Sequence, residues 1–348
     1  MKLNTIIPQF QNKKVMVIGD IIVDEYIWGE VNRISPEAPV PIFEKTSEKT
    51  GCGGAANVAQ NIVSLGARAE LIGVIGKDRD GEKLVQMLNS MGIGTAEICI
   101  DVQRPTSKKT RVIVDADTTG TINSFNSGLE LTRYNQGHHL LRIDQESKQE
   151  ISAILREHIS RSILSRMDEC DAIIISDYDK GLISAELIQS VVIKAKSCNI
   201  PTIVDPKRNN FWNYEGITAL TPNDKEACAA TQEMINDVSH LISVGEKILD
   251  DLSLSALLIT RDAKGMSLFQ RGPDGVLQVE HLPSTSSDVV DVTGAGDTVT
   301  AVFALTLAVQ SDYRTAAQLS NIAGGIVVGK LGCATVKPEE MMLNLDKC

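Results

Sequence analysis

The chain has 348 residues, of which 43% are hydrophobic and 23% charged, with 26 glycines and 11 prolines. This composition is typical of a globular protein and excludes disordered, collagen-like and coiled-coil chains. The 34 basic and 45 acidic side chains give a net charge of −11. Because the average field of such a chain repels phosphate polymers and anionic lipid, we expect no nucleic acid and no membrane among its partners.

The seven cysteines are odd in number and form no C-x-x-C pair. We therefore expect reduced thiols, and neither a disulfide framework nor a zinc site. The N-terminus lacks the charged-then-apolar pattern of a signal peptide. The apolar run at residues 298–311 is shorter than the roughly 20 residues that a membrane span needs. These features predict a cytoplasmic protein.

Short apolar runs rich in β-branched residues recur along the chain, and their near-continuous apolarity suits parallel strands covered on both faces. These predicted strands lie at residues 15–18, 71–75, 172–175, 202–204 and 257–259. Apolar residues with helical spacing occur between strands, for example at 55–63 and 187–195. The alternation predicts an α/β fold with a doubly wound, mainly parallel sheet.

Two segments break this alternation. Residues 24–50 contain three prolines and no helical period, and residues 101–144 contain alternating segments rich in Thr, Asn and Gly. Both patterns indicate antiparallel strands with turns. We expect them to form a small β-sheet lid, inserted into a single domain of residues 1–348, at a place where lids commonly gate active sites.

The strongest local motif is Gly294-Ala295-Gly296-Asp297, which precedes an apolar run. Two glycines before a helix let the backbone turn and direct free N–H groups one way, which creates an anion site. A carboxylate beside such a site is costly unless it has a task, such as accepting a proton from an attacking hydroxyl. An acidic first turn is also common in structural helices. The motif alone leaves the two interpretations equal.

Residues 51–57 formally match the dinucleotide fingerprint G-x-G-x-x-A, but the polar segment 44–50 precedes them instead of an apolar strand. Gly54 and Asn57 fit close approach of a small polar ligand better. Close packing of a helix against glycines is the structural alternative, and it is preferred where no other motif supports a site. An NAD-dependent oxidoreductase is a further functional class, and it rests on this segment alone.

Polar residues also follow several predicted strands, and ligands of open α/β sheets bind outside the carboxyl ends of the strands. Asp177 and Lys180 follow one strand, Lys207 another, and an N-x-x-E occupies residues 223–226. The last motif is an ordinary capping box, and it can also present a carboxylate to hydrated Mg²⁺. Each motif alone is better explained as a turn or a cap. Their collection at one edge favours a site.

Taken in order, these motifs resemble those of the ribokinase-like carbohydrate kinases across nearly the whole chain. The resemblance rests on an early Gly-Asp with Asp24, the helix start at 53–57, the N-x-x-E and the late G-A-G-D. Within that superfamily the sequence is most similar to the kinases of D-glycero-β-D-manno-heptose 7-phosphate, which act in ADP-heptose and lipopolysaccharide biosynthesis. Segments that carry this closer likeness are residues 33–41, 53–59, 176–181, 205–207 and 328–332.

The resemblance implies transfer of a phosphoryl group from ATP, with Mg²⁺, to the anomeric hydroxyl of this sugar phosphate. It implies that Asp297 is the catalytic base and that Gly294, Ala295 and Gly296 form the anion hole. The implied substrate contacts are Asp24, Arg33, Gly54, Asn57, Arg111, Arg133, Asp177, Lys180 and Lys207. The implied nucleotide contacts are Asn223, Asp224, Lys225, Glu226, Thr260, Arg261, Gly265 and Asn321, with Glu226 also directed to Mg²⁺.

Two features depart from the family pattern. Many relatives carry a C-terminal nucleotidyltransferase domain with an H-x-G-H motif, which is absent from these residues, so we expect another protein to perform adenylylation. In the lid, the family runs quickly from Lys-Thr-Arg to Arg-x-Asp. Here a longer insert, which contains Arg133, separates residues 109–111 from residues 142–144. Arg111 and Arg133 are therefore both candidates for the lid arginine.

The same motifs are compatible with other functions. Another ribokinase-like sugar, sugar-phosphate or nucleoside kinase is the nearest alternative. A non-catalytic sugar-binding sensor is an alternative of another class, against which the intact Asp297 argues. A small β lid also leaves edge strands that a second copy of the chain would cover, so we expect a homodimer formed through the lid.

Overall fold

Two β-sheets organise the computed structural model, which describes residues 3–114, 139–286 and 288–345. In chain order the strands are β1 (Lys14–Gly19), β2 (Ile21–Ile34), β3 (Pro41–Gly54), β4 (Arg68–Gly76), β5 (Ile98–Asp101), β6 (Ser107–Val114), β7 (His139–Gln145), β8 (Ala172–Ser176), β9 (Thr202–Asp205), β10 (Ala219–Leu220), β11 (Ala256–Thr260), β12 (Met266–Arg271) and β13 (Leu277–Leu282).

The larger sheet has nine strands in the order β5-β4-β1-β8-β9-β10-β11-β12-β13. Strands β5 to β11 are parallel, while β12 and β13 pair antiparallel at one edge. This confirms the predicted doubly wound, mainly parallel sheet. The five predicted apolar strands correspond to β1, β4, β8, β9 and β11. The antiparallel hairpin was not predicted, although Gly275, at φ +77°, supplies the turn that joins its strands.

Successive side chains of β1 pack into two different hydrophobic clusters, one on each face of the sheet. Val15 and Val17 pack into one cluster of buried side chains, and Met16 and Ile18 pack into another. Because successive side chains of a strand point to opposite faces, a strand that is apolar throughout needs cover on both faces. The continuous apolar runs in the sequence are thus explained by helices on each side of the sheet.

The helices that provide this cover are α1 (Ala55–Ser64), α2 (Arg79–Ser90), α3 (Ala153–Arg166), α4 (Ala185–Cys198), α5 (Asp224–Thr231), α6 (Val238–Asp251), α7 (Ala295–Ala308), α8 (Tyr313–Val327) and α9 (Pro338–Asn344). Side chains of α1, α2, α7 and α8 contribute to the cluster that contains Val15, and those of α3, α4 and α6 to the cluster that contains Met16. Within the described ranges, none of these helices combines the length and apolar character needed to cross a bilayer.

The smaller sheet is the lid, with strand order β3-β2-β6-β7. Strand β2 pairs antiparallel with β3, and β6 pairs antiparallel with β7, but β6 runs parallel to β2. The expectation of antiparallel pairing throughout is wrong at that one place. The physical reason is that β2 and β6 both leave the main sheet from the carboxyl ends of parallel strands, β1 and β5. Residue 101 ends β5 and so lies in the main sheet.

Glycines at the end of β3 allow the lid and the main sheet to approach closely. Gly54 has φ +56°, and a Cβ there would lie 2.5 Å from the carbonyl oxygen of Asp20. A Cβ on Gly53 would lie 2.4 Å from Oδ2 of Asp24. Glycine is therefore required at Gly54, where φ is positive and the clash is with backbone, while a side chain at Gly53 would displace the Asp24 carboxylate. The chain enters α1 directly beside two acidic residues that follow β1.

Candidate active site

Asp297 lies in the first turn of α7, and its side chain is buried, with 2% of the residue exposed. Asn57 in α1 donates a hydrogen bond from Nδ2 to Oδ2 of Asp297 at 2.7 Å. The Tyr178 hydroxyl donates to Oδ1 at 2.9 Å. Burial raises the pKa of Asp297 to about 6, against the lowering effect of these two donors. The site therefore holds a buried carboxyl group of moderate basicity.

The N-terminus of α7 adjoins this carboxyl group. Gly294 has φ +79°, where a Cβ would lie 2.6 Å from Nδ2 of Asn57. The N–H of Ala295, which the resemblance placed in the anion hole, donates to the carbonyl oxygen of Val292 at 3.2 Å and is therefore not free for a ligand. Among the described residues, the backbone N–H groups of Gly296 and Asp297 have no hydrogen-bond acceptor, as expected in the first turn of a helix. A Cβ on Gly296 would meet nothing within 4 Å. The open space beside these amides fits an anion.

On the lid side of Asp297, Asp24 is 4% exposed. Its Oδ1 accepts a hydrogen bond from the guanidinium of Arg111 in β6, and its Oδ2 accepts one from Sγ of Cys333 at 3.0 Å. Burial and the neighbouring Asp24 raise the pKa of the Cys333 thiol, which keeps it a donor. Arg111 also lies over the ring of Tyr26, 5.1 Å from its centroid. Arg111 is thus in the cleft, while Arg133 lies outside the described residues.

Three lysines surround the same cleft. Nζ of Lys180 lies 2.6 Å from Glu146, and Lys207 pairs with Glu226. Lys109 has no carboxylate within 4 Å in the described part of the chain, and it lies over the ring of Tyr178 at 4.8 Å. Burial lowers the pKa of Lys109, because the charged ammonium is poorly solvated there.

Three residues of the site, Tyr178, Lys109 and Cys333, have no role predicted by the sequence motifs. Tyr178 follows the end of β8, where the position alone marks a candidate. Lys109 and Arg111 are two residues apart on a lid strand and so share one face, which is the signal that could have found Lys109. Cys333 lies 309 residues from Asp24 in sequence, and the residues around Cys333 form no motif that predicts this contact.

The predicted nucleotide motif begins α5. Asn223 and Glu226 form the expected capping box, with Glu226 N donating to Asn223 Oδ1 at 2.9 Å and Asn223 N donating to Glu226 Oε2 at 3.0 Å. The remaining oxygen of Glu226 faces Lys207. Asp205 ends β9 nearby, and burial raises its pKa despite the neighbouring Lys207.

Carboxylates are ligands that Mg²⁺ accepts, and it usually keeps several waters and binds largely through substrate phosphates. Within the described ranges no group of three or more His, Cys, Asp or Glu side chains could hold a metal by itself. Glu226 and Asp205 therefore fit a hydrated Mg²⁺ that phosphates also hold, but not a closed protein cage.

Other predicted nucleotide contacts lie beside this motif. Asn223 bridges to Thr260 at the end of β11, and Arg261 N donates to the carbonyl oxygen of Gly265 at 2.8 Å. The buried Nε of Arg261 has no partner in the residues that the structure describes, which leaves a cationic donor for an anionic ligand. Asn321 is buried on α8, and its Nδ2 donates to Pro283 at 2.7 Å.

The first turn of α5 also contains two residues with more exposed surroundings. Asp224 is partly exposed, and the side chain of Lys225 is 84% exposed and lies 4.0 Å from Asp262. Neither contacts the Asp297 carboxyl. Their contribution to a nucleotide site stays a prediction.

Two predicted substrate contacts lie apart from Asp297. Arg33 is exposed on the distal half of β2 and pairs with Glu44 of β3 at 3.4 Å. Asp177 is 1% exposed. Its Oδ2 accepts from the Tyr214 hydroxyl at 2.7 Å, and its Oδ1 accepts from Asp179 N at 2.8 Å. Asp177 therefore braces its own loop, and direct substrate contact by either residue stays a prediction.

Comparison with known proteins identifies the family. Residues 12–340 match the model of the pfkB family carbohydrate kinases. The chain belongs to this family. It is 41% identical to the bifunctional protein HldE of Geobacter metallireducens over 94% of this chain and 62% of that protein. The HldE of Geobacter sulfurreducens is also 41% identical, over 95% of this chain and 62% of the relative.

The kinase thus spans about three fifths of the length of these curated relatives. A solved structure of Arabidopsis thaliana ribokinase complexed with ribose and ATP superposes with a TM-score of 0.72 at 17% identity, covering 96% of this chain and 99% of that one. This likeness establishes the ribokinase-like fold. Family membership makes the chain a sugar kinase, with ATP as the expected phosphoryl donor.

The buried Asp297 predicts a specific pH dependence of stability. Its folded pKa of about 6 exceeds the ordinary value of 3.8, so the folded state binds more protons between these values and loses stability as pH rises through them. Asp297→Asn removes this dependence. Between pH 4 and pH 7 the free energy of unfolding of the variant should therefore rise relative to wild type by on the order of 3 kcal/mol.

Chemical denaturation at a series of pH values measures this difference. Asp312→Asn is the control, because Asp312 also begins a helix, but backbone and side-chain hydrogen bonds from Thr315 lower its pKa despite partial burial. Its relative stability should change in the opposite direction as pH rises. Parallel stability curves for wild type and Asp297→Asn would contradict the raised pKa.

Proposed function

We propose that this kinase phosphorylates the anomeric hydroxyl of D-glycero-β-D-manno-heptose 7-phosphate with ATP, giving the 1,7-bisphosphate. The observation that carries the reaction type is the buried Asp297 carboxyl beside the amides of Gly296 and Asp297, for which the described part of the chain offers no acceptor. The sugar is proposed from the resemblance of residues 33–41 and 53–59 to the heptose 7-phosphate kinases. The similarity to HldE proteins supports the same choice.

In this proposal Asp297 accepts the proton of the sugar hydroxyl while the hydroxyl oxygen bonds to the terminal phosphorus of ATP. The bond from that phosphorus to the leaving ADP oxygen breaks in the same step. Charge on the transferring group is met by the amides of Gly296 and Asp297. A pKa of about 6 keeps the carboxyl deprotonated near neutral pH and still basic enough to act. Positioning and electrostatics supply most of the catalysis of phosphoryl transfer.

We place the sugar between the lid and α1. Asp24 and Asn57 offer acceptors and donors for hydroxyl groups, and Gly54 lets the ligand approach the backbone. The sugar phosphate needs cations that a chain with net charge −11 does not provide on average. Lys109 is suited to it because no described carboxylate lies within 4 Å of its ammonium group. Arg111 and Lys180 add positive charge from the same side.

We place ATP along the carboxyl ends of β9 to β11. Residues 223–226, Thr260, Arg261 and Gly265 line this edge, with Lys207 directed to the phosphates. Glu226 and Asp205 would face a hydrated Mg²⁺ between them and the phosphates. When bound, Mg²⁺ neutralises phosphate charge that the protein alone meets only partly.

The lid also supports the proposed homodimer. Leu141 and Ile143 lie on one face of β7, one of the two edge strands of the described lid sheet, and are 55% and 52% exposed. Exposed edge strands favour pairing with another chain. We place the kinase in the cytoplasm, which supplies ATP, and the six free cysteines among the described residues fit a reducing compartment.

A panel of acceptors tests the proposed activity. ADP release with heptose 7-phosphate should exceed that with unphosphorylated heptose, ribose and fructose 6-phosphate. Asp297→Asn should lower kcat about 10²- to 10⁴-fold, because it removes a general base while keeping the shape. Asp312→Asn serves as the matched control and should retain turnover. Preference for a free sugar, or near-native turnover of Asp297→Asn in a folded protein, would refute the assignment.

Lys109→Met tests the phosphate subsite. Loss of a charged partner should raise KM for the sugar phosphate about 10- to 100-fold, with a much smaller effect on KM for an unphosphorylated acceptor. Lys108→Met is the control, because Lys108 projects from the other face of β6 and pairs with Asp80 at 2.8 Å. Steady-state kinetics with both acceptors measures the effect. Equal losses with the two acceptors would argue against phosphate recognition by Lys109.

The mass in solution tests the dimer. Light scattering at micromolar concentration should give twice the monomer mass, and the double variant Leu141→Asp with Ile143→Asp should be monomeric, since charge on the buried face of an interface opposes association. Ile154→Asp changes an equally apolar side chain that is 84% exposed on α3, and it should remain dimeric. A monomeric wild-type chain would remove the proposal.

A further inference from the structure

Tyr178 connects the edge of the main sheet to the proposed base. Its hydroxyl donates to Oδ1 of Asp297 at 2.9 Å, while Asn57 donates to Oδ2 at 2.7 Å. Each carboxyl oxygen therefore has one protein donor, which fixes the rotation of the group. The second lone pair of each oxygen stays available to a sugar hydroxyl.

The backbone that carries Tyr178 is itself held in place. Asp20, 4% exposed after β1, accepts hydrogen bonds on Oδ2 from Tyr178 N at 2.8 Å and from Lys180 N at 3.2 Å. Gly181 closes the turn at φ +82°, where a Cβ would lie 2.0 Å from the carbonyl oxygen of Gln149. The loop thus presents the tyrosine from a fixed backbone.

Two lysines flank the aromatic ring. Nζ of Lys109 lies 4.8 Å from the ring centroid and Nζ of Lys207 lies 5.2 Å from it, within the range of cation–π attraction. One lysine comes from the lid and the other from the end of β9. Burial and the adjacent Asp297 raise the pKa of Tyr178 well above its ordinary value. The hydroxyl therefore remains a donor at any pH at which the enzyme works.

We propose that Tyr178 is a positioning residue for the reaction: through its hydroxyl it orients the Asp297 carboxylate and favours the deprotonated form that accepts the sugar proton. The inference rests on the proposed catalytic role of Asp297. The proposal gives Tyr178, in the Ser-Asp-Tyr segment at the end of β8, a function that the sequence pattern did not predict.

The conservative variant Tyr178→Phe isolates the hydroxyl, because the ring and its two lysine neighbours are retained. Without this donor the charged form of Asp297 is less favoured, so the apparent pKa on the acid limb of the kcat profile should rise by about 1 unit. At neutral pH the higher pKa lowers the deprotonated fraction of Asp297 about twofold, and the lost orientation of the carboxylate should bring the total fall in kcat to about tenfold or more. KM for ATP and for the sugar phosphate should stay within about threefold, since the contacts that bind them are unchanged.

The charged and titratable groups that face Asp297 remain in this variant. A shift of the acid limb is therefore due to the loss of the Tyr178 hydroxyl. The groups that remain are Asp24 from the lid, Asp205 and Lys207 from the end of β9, and Cys333. Tyr214→Phe is the matched control. Its hydroxyl also donates to a buried carboxylate, at 2.7 Å, but to Asp177 instead of Asp297. Its acid limb should coincide with that of wild type.

An unshifted acid limb in Tyr178→Phe, or an equal shift in Tyr214→Phe, would overturn the proposed positioning role. A change in KM alone would also overturn it, since that outcome indicates a binding contact. Unfolding midpoints of both variants establish that the proteins compared are folded. Asp297→Asn separates the two proposals: if it retains activity the base assignment fails, whereas an inactive Asp297→Asn with a normal Tyr178→Phe profile removes only the role of Tyr178.

Discussion

The structure depends on burying one carboxyl group without giving it a cation as a direct partner. Asp297 receives hydrogen bonds from an amide and a phenol, both neutral. An arginine in either place would stabilise the carboxylate much more strongly and remove its basicity. Asp24, a short distance away, does have a cation as its direct partner, Arg111. In the proposed reaction the two acidic residues have different tasks, Asp297 to take up a proton and Asp24 to bind the sugar.

The lid adds positive charge to that of Lys180 and Lys207, which follow strands of the main sheet. The carboxyl ends of the parallel strands are followed by acidic groups at Asp20, Asp177 and Asp205, which brace loops or face the nucleotide side. Lys109 and Arg111 come from β6 of the lid. In the proposed reaction two anionic substrates meet, and cations from both the lid and the main sheet balance their charge. The inserted strands thus contribute charge to the site as well as covering it.

Sequence patterns predicted the parts of the fold that burial controls strongly. Strands covered on both faces are apolar throughout, which is why β1, β4, β8, β9 and β11 were found. Strand β13 is mostly half-buried or exposed, and the buried part of β12 includes the polar Ser267, so the hairpin carries a weaker signal. In the site, the glycines before Asp297 and the capping box were predictable because their geometry is local. The contacts of Tyr178 and Cys333 join residues 119 and 309 positions apart, and no local pattern encodes such distances.

The capping box at the start of α5 shows why a structural and a functional interpretation need not compete. Glu226 uses one carboxyl oxygen to close the cap and the other to face Lys207. The capping hydrogen bonds hold the Glu226 carboxylate in one orientation. A charge held in place in this way suits the binding of an anionic nucleotide and its cation. Because both oxygens already have partners in the protein, a metal ion would be reached through water, which suits the strongly hydrated Mg²⁺. The capping box therefore both stabilises the start of α5 and makes the proposed nucleotide edge polar.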